Sequence, residues 1–186
     1  MKFSLFAVPA LIAGAFAAPA ISQEKRQVGQ VVTLVEGLVS DVTSLTGKIN
    51  ATTIGVGAAG VSAQVTVDIQ DTLDTVVSTV EEVVNATGAI SLVDGVVGET
   101  ETYIAGLVAL VVEELNGTLG NVETVVGLDK ITSQVTGITN QLGGLLNVLQ
   151  GLGLQNILST VTGVLNLLPV GQVTGLISGL GLPLKQ

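Results

Sequence analysis

Apolar positions along this chain recur in alternating steps of three and four. Val28, Val31, Val35, Leu38, Val42, Leu45 and Ile49 form the first such stripe. That spacing keeps side chains on one side of a 3.6-residue turn, so it predicts a helix over 27–50 of about six turns. Glu36, Asp41 and Lys48 fall off the stripe. Asn50 to Gly60, rich in Thr, Gly and Ala, reads as a loop. A second stripe, Val65, Ile69, Leu73, Val76, Val80 and Val83, predicts a helix over 62–87. Its first residues also alternate Val65, Val67, Ile69, so a strand competes over 54–69. Glu99 to Leu115 is a third helix candidate after a loop around Gly88 to Gly98. Its segment Ile104 to Val112 is apolar nearly all round, which suits a buried central helix. Asn116-Gly117 reads as its break.

A further helix is expected from near Val122 toward Gln150. Its stripe is Ile131, Val135, Ile138, Leu142, Leu145, Leu149 and Leu152, and Gly151-Leu152-Gly153 breaks it. Leu154, Leu158, Val161, Leu165 and Leu168 make the next stripe, which Pro169 ends. A last short helix is expected over Gln172 to Leu180. The pattern as a whole predicts an all-α fold. It is a bundle of four to six amphipathic helices with a Gly/Leu-rich, uncharged C-terminal helical region.

Composition changes this picture in two ways. The chain has 186 residues, which favours one domain, and 47% apolar content, mostly aliphatic, which suffices for a core. Charge is unevenly placed. No Asp, Glu, Lys or Arg occurs from Ile131 to Leu184, so an acidic part, 27–130, is followed by a neutral apolar part, 131–186, of the same domain. The net charge of −9 opposes binding to nucleic acid or to anionic lipid. Cys and His are absent, which excludes a disulfide framework and thiol or imidazole chemistry.

The first 26 residues read as processing signals. Lys2 precedes a short apolar run, Phe3 to Phe16, and Ala15-Phe16-Ala17 places a signal-peptidase site at Ala17, giving a signal peptide over 1–17. The run is interrupted by Pro9 and falls short of the roughly 20 residues of a membrane span. Lys25-Arg26 then closes a propeptide, 18–26, at a dibasic pair resembling the sites of fungal Kex2-type convertases. The mature chain is expected to start at Gln27 and to be secreted.

No constellation for catalysis stands out. Asp68, Asp71 and Asp74 lack the spacing and turn Gly of a calcium loop and read as a solvated face. Glu113 and Glu114 are adjacent, about 100° apart on a helix, with no His or Cys to work with, and read as solvent-facing. No Ser lies in Gly-x-Ser-x-Gly or Ser-x-x-Lys. The expectation is a non-enzyme without cofactor or metal. Asn50-Ala51-Thr52, Asn85-Ala86-Thr87 and Asn116-Gly117-Thr118 are N-glycosylation sequons at expected segment ends.

Signal peptide, dibasic pro-piece, absence of cysteine and a first mature helix reading VVTLVEGLVSDVTSLTGKINATT together resemble the fungal hydrophobic-surface-binding protein A family and the related cell-wall galactomannoproteins. The resemblance spans roughly Val28 to Gln150. It implies a secreted, all-helical, non-enzymatic fungal wall protein that adsorbs to hydrophobic surfaces, or encloses fatty acids between helices. The neutral tail departs from it, and no functional residue carries over by position. The neutral tail suggests adsorption to apolar surfaces or lipid, with Leu142, Leu145, Leu149, Leu158 and Leu165 as candidate contacts. A lipid- or fatty-acid-binding module and a secreted host-directed effector are the alternatives. Cell-wall polysaccharide and a second copy of the chain are further candidate partners.

Overall fold

A computed structural model describes residues 20–56, 60–91, 98–154 and 157, with side chains from residue 26 onward. Four α-helices occur among them: α1 (Ala20–Ile54), α2 (Ala63–Gly88), α3 (Glu99–Val126) and α4 (Thr132–Gly151). A single 3-10 turn, Leu128–Lys130, joins α3 to α4. The fold is the expected all-α bundle. The stripes expected over 154–168 and 172–180, and Leu158 and Leu165 with them, lie outside the described residues, apart from Leu154 and Ile157, which are buried.

The predicted stripes are the core. Val31, Val35, Leu38, Val42 and Ile49 of α1, and Ile69, Leu73, Val76, Val80 and Val83 of α2, are buried in one cluster with the inner faces of α3 and α4. Where a strand competed, residues 63–69 are helix, the start of α2. Ser62 caps α2, its hydroxyl accepting from the Val65 amide at 3.2 Å, and this relieves one of the unpaired donors of the first turn.

Cross-helix pairs fix the directions. Tyr103 reaches Glu36, Glu114 meets Thr46 and Thr118 meets Asn50, so α1 and α3 run parallel. Gln70 pairs with Lys130 and Gln134 with Asp74, and Gly137, Gly144 and Val148 face Val77, Val84 and Gly88. Each of these pairs is 60 residues apart, so α2 and α4 also run parallel, in constant register. The α1–α2 hairpin therefore lies beside the α3–α4 hairpin, with α1 next to α3 and α2 next to α4. One end of the bundle gathers the start of α1 and the end of α2. The other carries the α1–α2 connection.

Helix boundaries differ from the expected ones in three places. α1 runs to Ile54, past the loop expected from Asn50, because Ile49 and Thr53 still face inward and the Thr53 hydroxyl satisfies the Asn50 carbonyl at 2.9 Å. α3 runs through Asn116-Gly117 to Val126. Leu115, Leu119 and Val122 continue the buried face, and that packing outweighs the roughly 1 kcal/mol that a mid-helix Gly costs. The helix expected from Val122 to Gln150 is instead divided at Gly127, whose φ of 92° suits glycine.

Among the described residues, Arg26–Ile54 and Glu99–Val126 are long and apolar enough to cross a bilayer. In the bundle both turn their apolar faces to the shared core, while Glu36, Asp41 and Lys48 of α1 are exposed midway along it.

Candidate functional site

The neutral stripe on α4 is interior. Leu142, Leu145 and Leu149 are at most 1% exposed, so the surface contact expected of them is not available in this fold. The polar face opposite is exposed at Ser133, Thr136, Asn140 and Asn147, and it is the flanks of the stripe that are enclosed with it. Gln134 and Thr139 are buried as well. Gln134 Nε2 donates to Asp74 Oδ2 at 3.4 Å and Thr139 Oγ1 donates to the Val135 carbonyl at 2.7 Å. At these buried flank positions an ion would be costly to desolvate.

Apolar groups reach the surface along α3, at Tyr103 and Leu110, and at both ends of the bundle. At the end carrying the α1–α2 connection, Ile54 is 83% exposed, with Val61 and Val67 exposed nearby in sequence. At the opposite end a groove of about 760 Å³ opens between α1 and α2. Arg26, Gly29, Gln30, Thr33 and Leu34 of α1 line one wall, and Ala86 and Ile90 the other. Arg26 and Leu34 are about 12 Å apart along the helix axis at 1.5 Å per residue. The groove therefore has a cationic end, at Arg26, and an apolar end, at Leu34. The Thr33 hydroxyl donates to the Gly29 carbonyl at 3.0 Å, so its hydrogen is used locally. A Cβ at Gly29 would meet nothing within 4 Å among the described residues, so the missing side chain leaves part of the groove open.

In the sequence Arg26 carries only a processing signal. The other lining residues sit beside the core stripe of α1, not on it, and carry no motif. Only the antiparallel approach of Ala86 and Ile90 gives them a common cavity.

The sequon residues occupy unlike places. Asn85 is exposed, whereas Asn50 and Asn116 are half-buried inside α1 and α3 and not at segment ends. Asn50 Nδ2 donates to Thr118 Oγ1 at 3.3 Å, and Asn50 Oδ1 accepts from Asn121 Nδ2 at 3.0 Å. Thr118 is the hydroxyl residue of the Asn116 sequon and is 1% exposed. One turn away Thr46 Oγ1 donates to Glu114 Oε1 at 2.7 Å. Glu114, expected in solvent, is thus half-buried in a polar seam between α1 and α3, while Glu113 is exposed. Lys25 and Arg26 lie within α1, in its second turn.

No protein-family profile and no curated protein matches the sequence. A similar solved structure is the crystal structure of AfMP4p in complex with palmitic acid, 12% identical, with 77% of this chain and 97% of that chain covered at a TM-score of 0.49. At that distance the likeness carries no functional argument for this chain.

Proposed function

We propose that this protein is a secreted, non-enzymatic fungal wall or surface protein that binds single-chain lipids, with the α1–α2 groove as the site. The groove is the observation that carries the reading. Its size lies within the roughly 300–1,000 Å³ of small-molecule sites, which are mostly apolar with a few placed polar groups. Leu34, Ala86 and Ile90 offer aliphatic surface, and removing a lipid chain from water there gains about 25 cal/mol per Å² buried. While Arg26 is retained, the cation at one end and the apolar surface beside it match an amphiphile with one head and one tail, and after cleavage the apolar wall alone remains. Secretion follows from the leader expected over 1–17.

Gly29→Leu tests the site. The new side chain meets no described neighbour at its Cβ, and replacing a helical Gly favours the helix by roughly 0.5–1 kcal/mol. It should therefore fill the groove without harming the fold. Calorimetric titration with dodecanoate is expected to saturate near one ligand per chain, and Gly29→Leu to weaken it by about tenfold, or about 1.4 kcal/mol, with undiminished thermal stability. Equal binding by the stable variant excludes this groove.

A second reading is favoured by Ile54, Val61 and Val67, exposed at the opposite end. Adsorption to hydrophobic surfaces fits these residues better than the buried α4 stripe. Ile54→Ser with Val67→Ser should then reduce retention on hydrophobic beads while leaving dodecanoate binding unchanged. Unchanged retention removes this reading.

A further inference from the structure

We propose that Arg26 selects carboxylate-headed amphiphiles in the α1–α2 groove, and that cleavage after Lys25-Arg26 removes this selectivity. The proposal rests on the groove being a lipid site. Its own basis is the position of one cation. Arg26 is exposed at the outer end of the groove, and the other lining residues, Gly29, Gln30, Thr33, Leu34, Ala86 and Ile90, carry no charge. A guanidinium offers a planar fork of donors that a carboxylate can accept in pairs. A neutral alcohol of equal chain length would gain the same apolar burial without that pairing.

The same residue closes the dibasic pair. α1 is continuous from Ala20 to Ile54, so a groove bearing Arg26 belongs to the uncleaved chain. A dibasic-specific convertase hydrolyses the Arg26–Gln27 peptide bond. Water supplies the hydroxyl to the Arg26 carboxyl and the proton to the Gln27 amine. The guanidinium leaves with the released segment. The new α-amine begins at the backbone, lacks the reach of an arginine side chain, and loses its charge near pH 8. Residues 29–34 with Ala86 and Ile90 stay behind. Cleavage thus leaves the apolar wall in place and changes what head group the site prefers.

Three forms of the chain test this: Lys25→Gln, which removes the dibasic pair and keeps Arg26; Lys25→Gln with Arg26→Gln; and the convertase-treated chain starting at Gln27. Each is titrated with dodecanoate and with dodecanol. An exposed ion pair is worth at most about 1 kcal/mol, so the expected preference for dodecanoate in the Arg26-bearing form is roughly two- to fivefold. It should fade as salt is raised, and both forms lacking Arg26 should lose it while still binding dodecanol. A preference that survives without Arg26 overturns the proposal. So does failure of the convertase to cut after Arg26 by intact mass. If no form binds either amphiphile, the groove reading itself fails.

Discussion

A Cβ on Gly137 would lie 3.1 Å from Val77 Cγ2 and 3.3 Å from Val77 Cγ1. Both methyls of a β-branched side chain are in the way, and rotating Val77 brings one methyl where the other was. The absence of a side chain at Gly137 is what lets α4 approach α2 this closely. The contact is looser one heptad on, where Val84 stands 3.6 Å from the corresponding position at Gly144. Gly137→Leu should therefore force the helices apart and cost about 1–3 kcal/mol by overpacking. Gly106→Ala on α3, where nothing lies within 4 Å, should instead stabilise by roughly 0.5–1 kcal/mol. Urea unfolding compares the two, and a Gly137→Leu chain as stable as the parent removes the close-approach account.

The seam between α1 and α3 gives a second expectation. Asn50 both donates to Thr118 and accepts from Asn121. In unglycosylated protein, Asn50→Ala and Thr118→Val should each destabilise, and a double-mutant cycle should show coupling of about 0.5–1.5 kcal/mol. Zero coupling means the pair is not formed in solution. The same geometry separates the sequons. Glycopeptide mass spectrometry of the secreted protein is expected to find a glycan on exposed Asn85 and an unmodified Asn50. A glycan at Asn50 in the folded protein contradicts the seam.

Thr87 presents the opposite situation. Its hydroxyl is fully buried and has no hydrogen-bond partner among the described residues. Leaving a hydroxyl unpaired in an apolar interior costs on the order of 1–3 kcal/mol. Thr87→Val keeps the shape and removes the polar atom, so it should raise stability by about 1 kcal/mol. The comparison is made without glycans, since the change also destroys the Asn85 sequon. A loss of stability points to a partner for the hydroxyl, such as a buried water.

Tyr103 is the sole tyrosine of a chain without tryptophan, so its ionisation is directly readable by ultraviolet absorbance. Its hydroxyl donates to Glu36 Oε1 at 2.7 Å. That hydrogen bond, with smaller contributions from desolvation and the Glu36 charge, raises its pKa above 10.0. A raised folded-state pKa favours the protonated folded form. The resulting stabilisation is complete below the unfolded pKa near 10 and is lost as pH climbs through the folded value. Glu36→Gln should move the titration back down. An unmoved titration in that variant shows that the pair does not form.

The helices are legible without any tertiary information, because a one-sided stripe depends only on helical pitch. Val31 to Ile49 and Ile69 to Val83 were legible as core before any neighbour was known. The sequence also marks Gly151-Leu152-Gly153, where α4 ends. Which apolar faces stay wet was decided only by the tertiary structure. Leu142, Leu145 and Leu149 have the pattern of an adsorbing face, yet they are enclosed, because burial depends on which helices stand opposite. Asn116-Gly117 has the local chemistry of a break, but continued packing of Leu119 and Val122 carries α3 through it. The groove was illegible for the same reason. Arg26 and Leu34 share a helix flank, but Ala86 and Ile90 are some 60 residues away in the chain. Only the antiparallel return of α2 places them opposite.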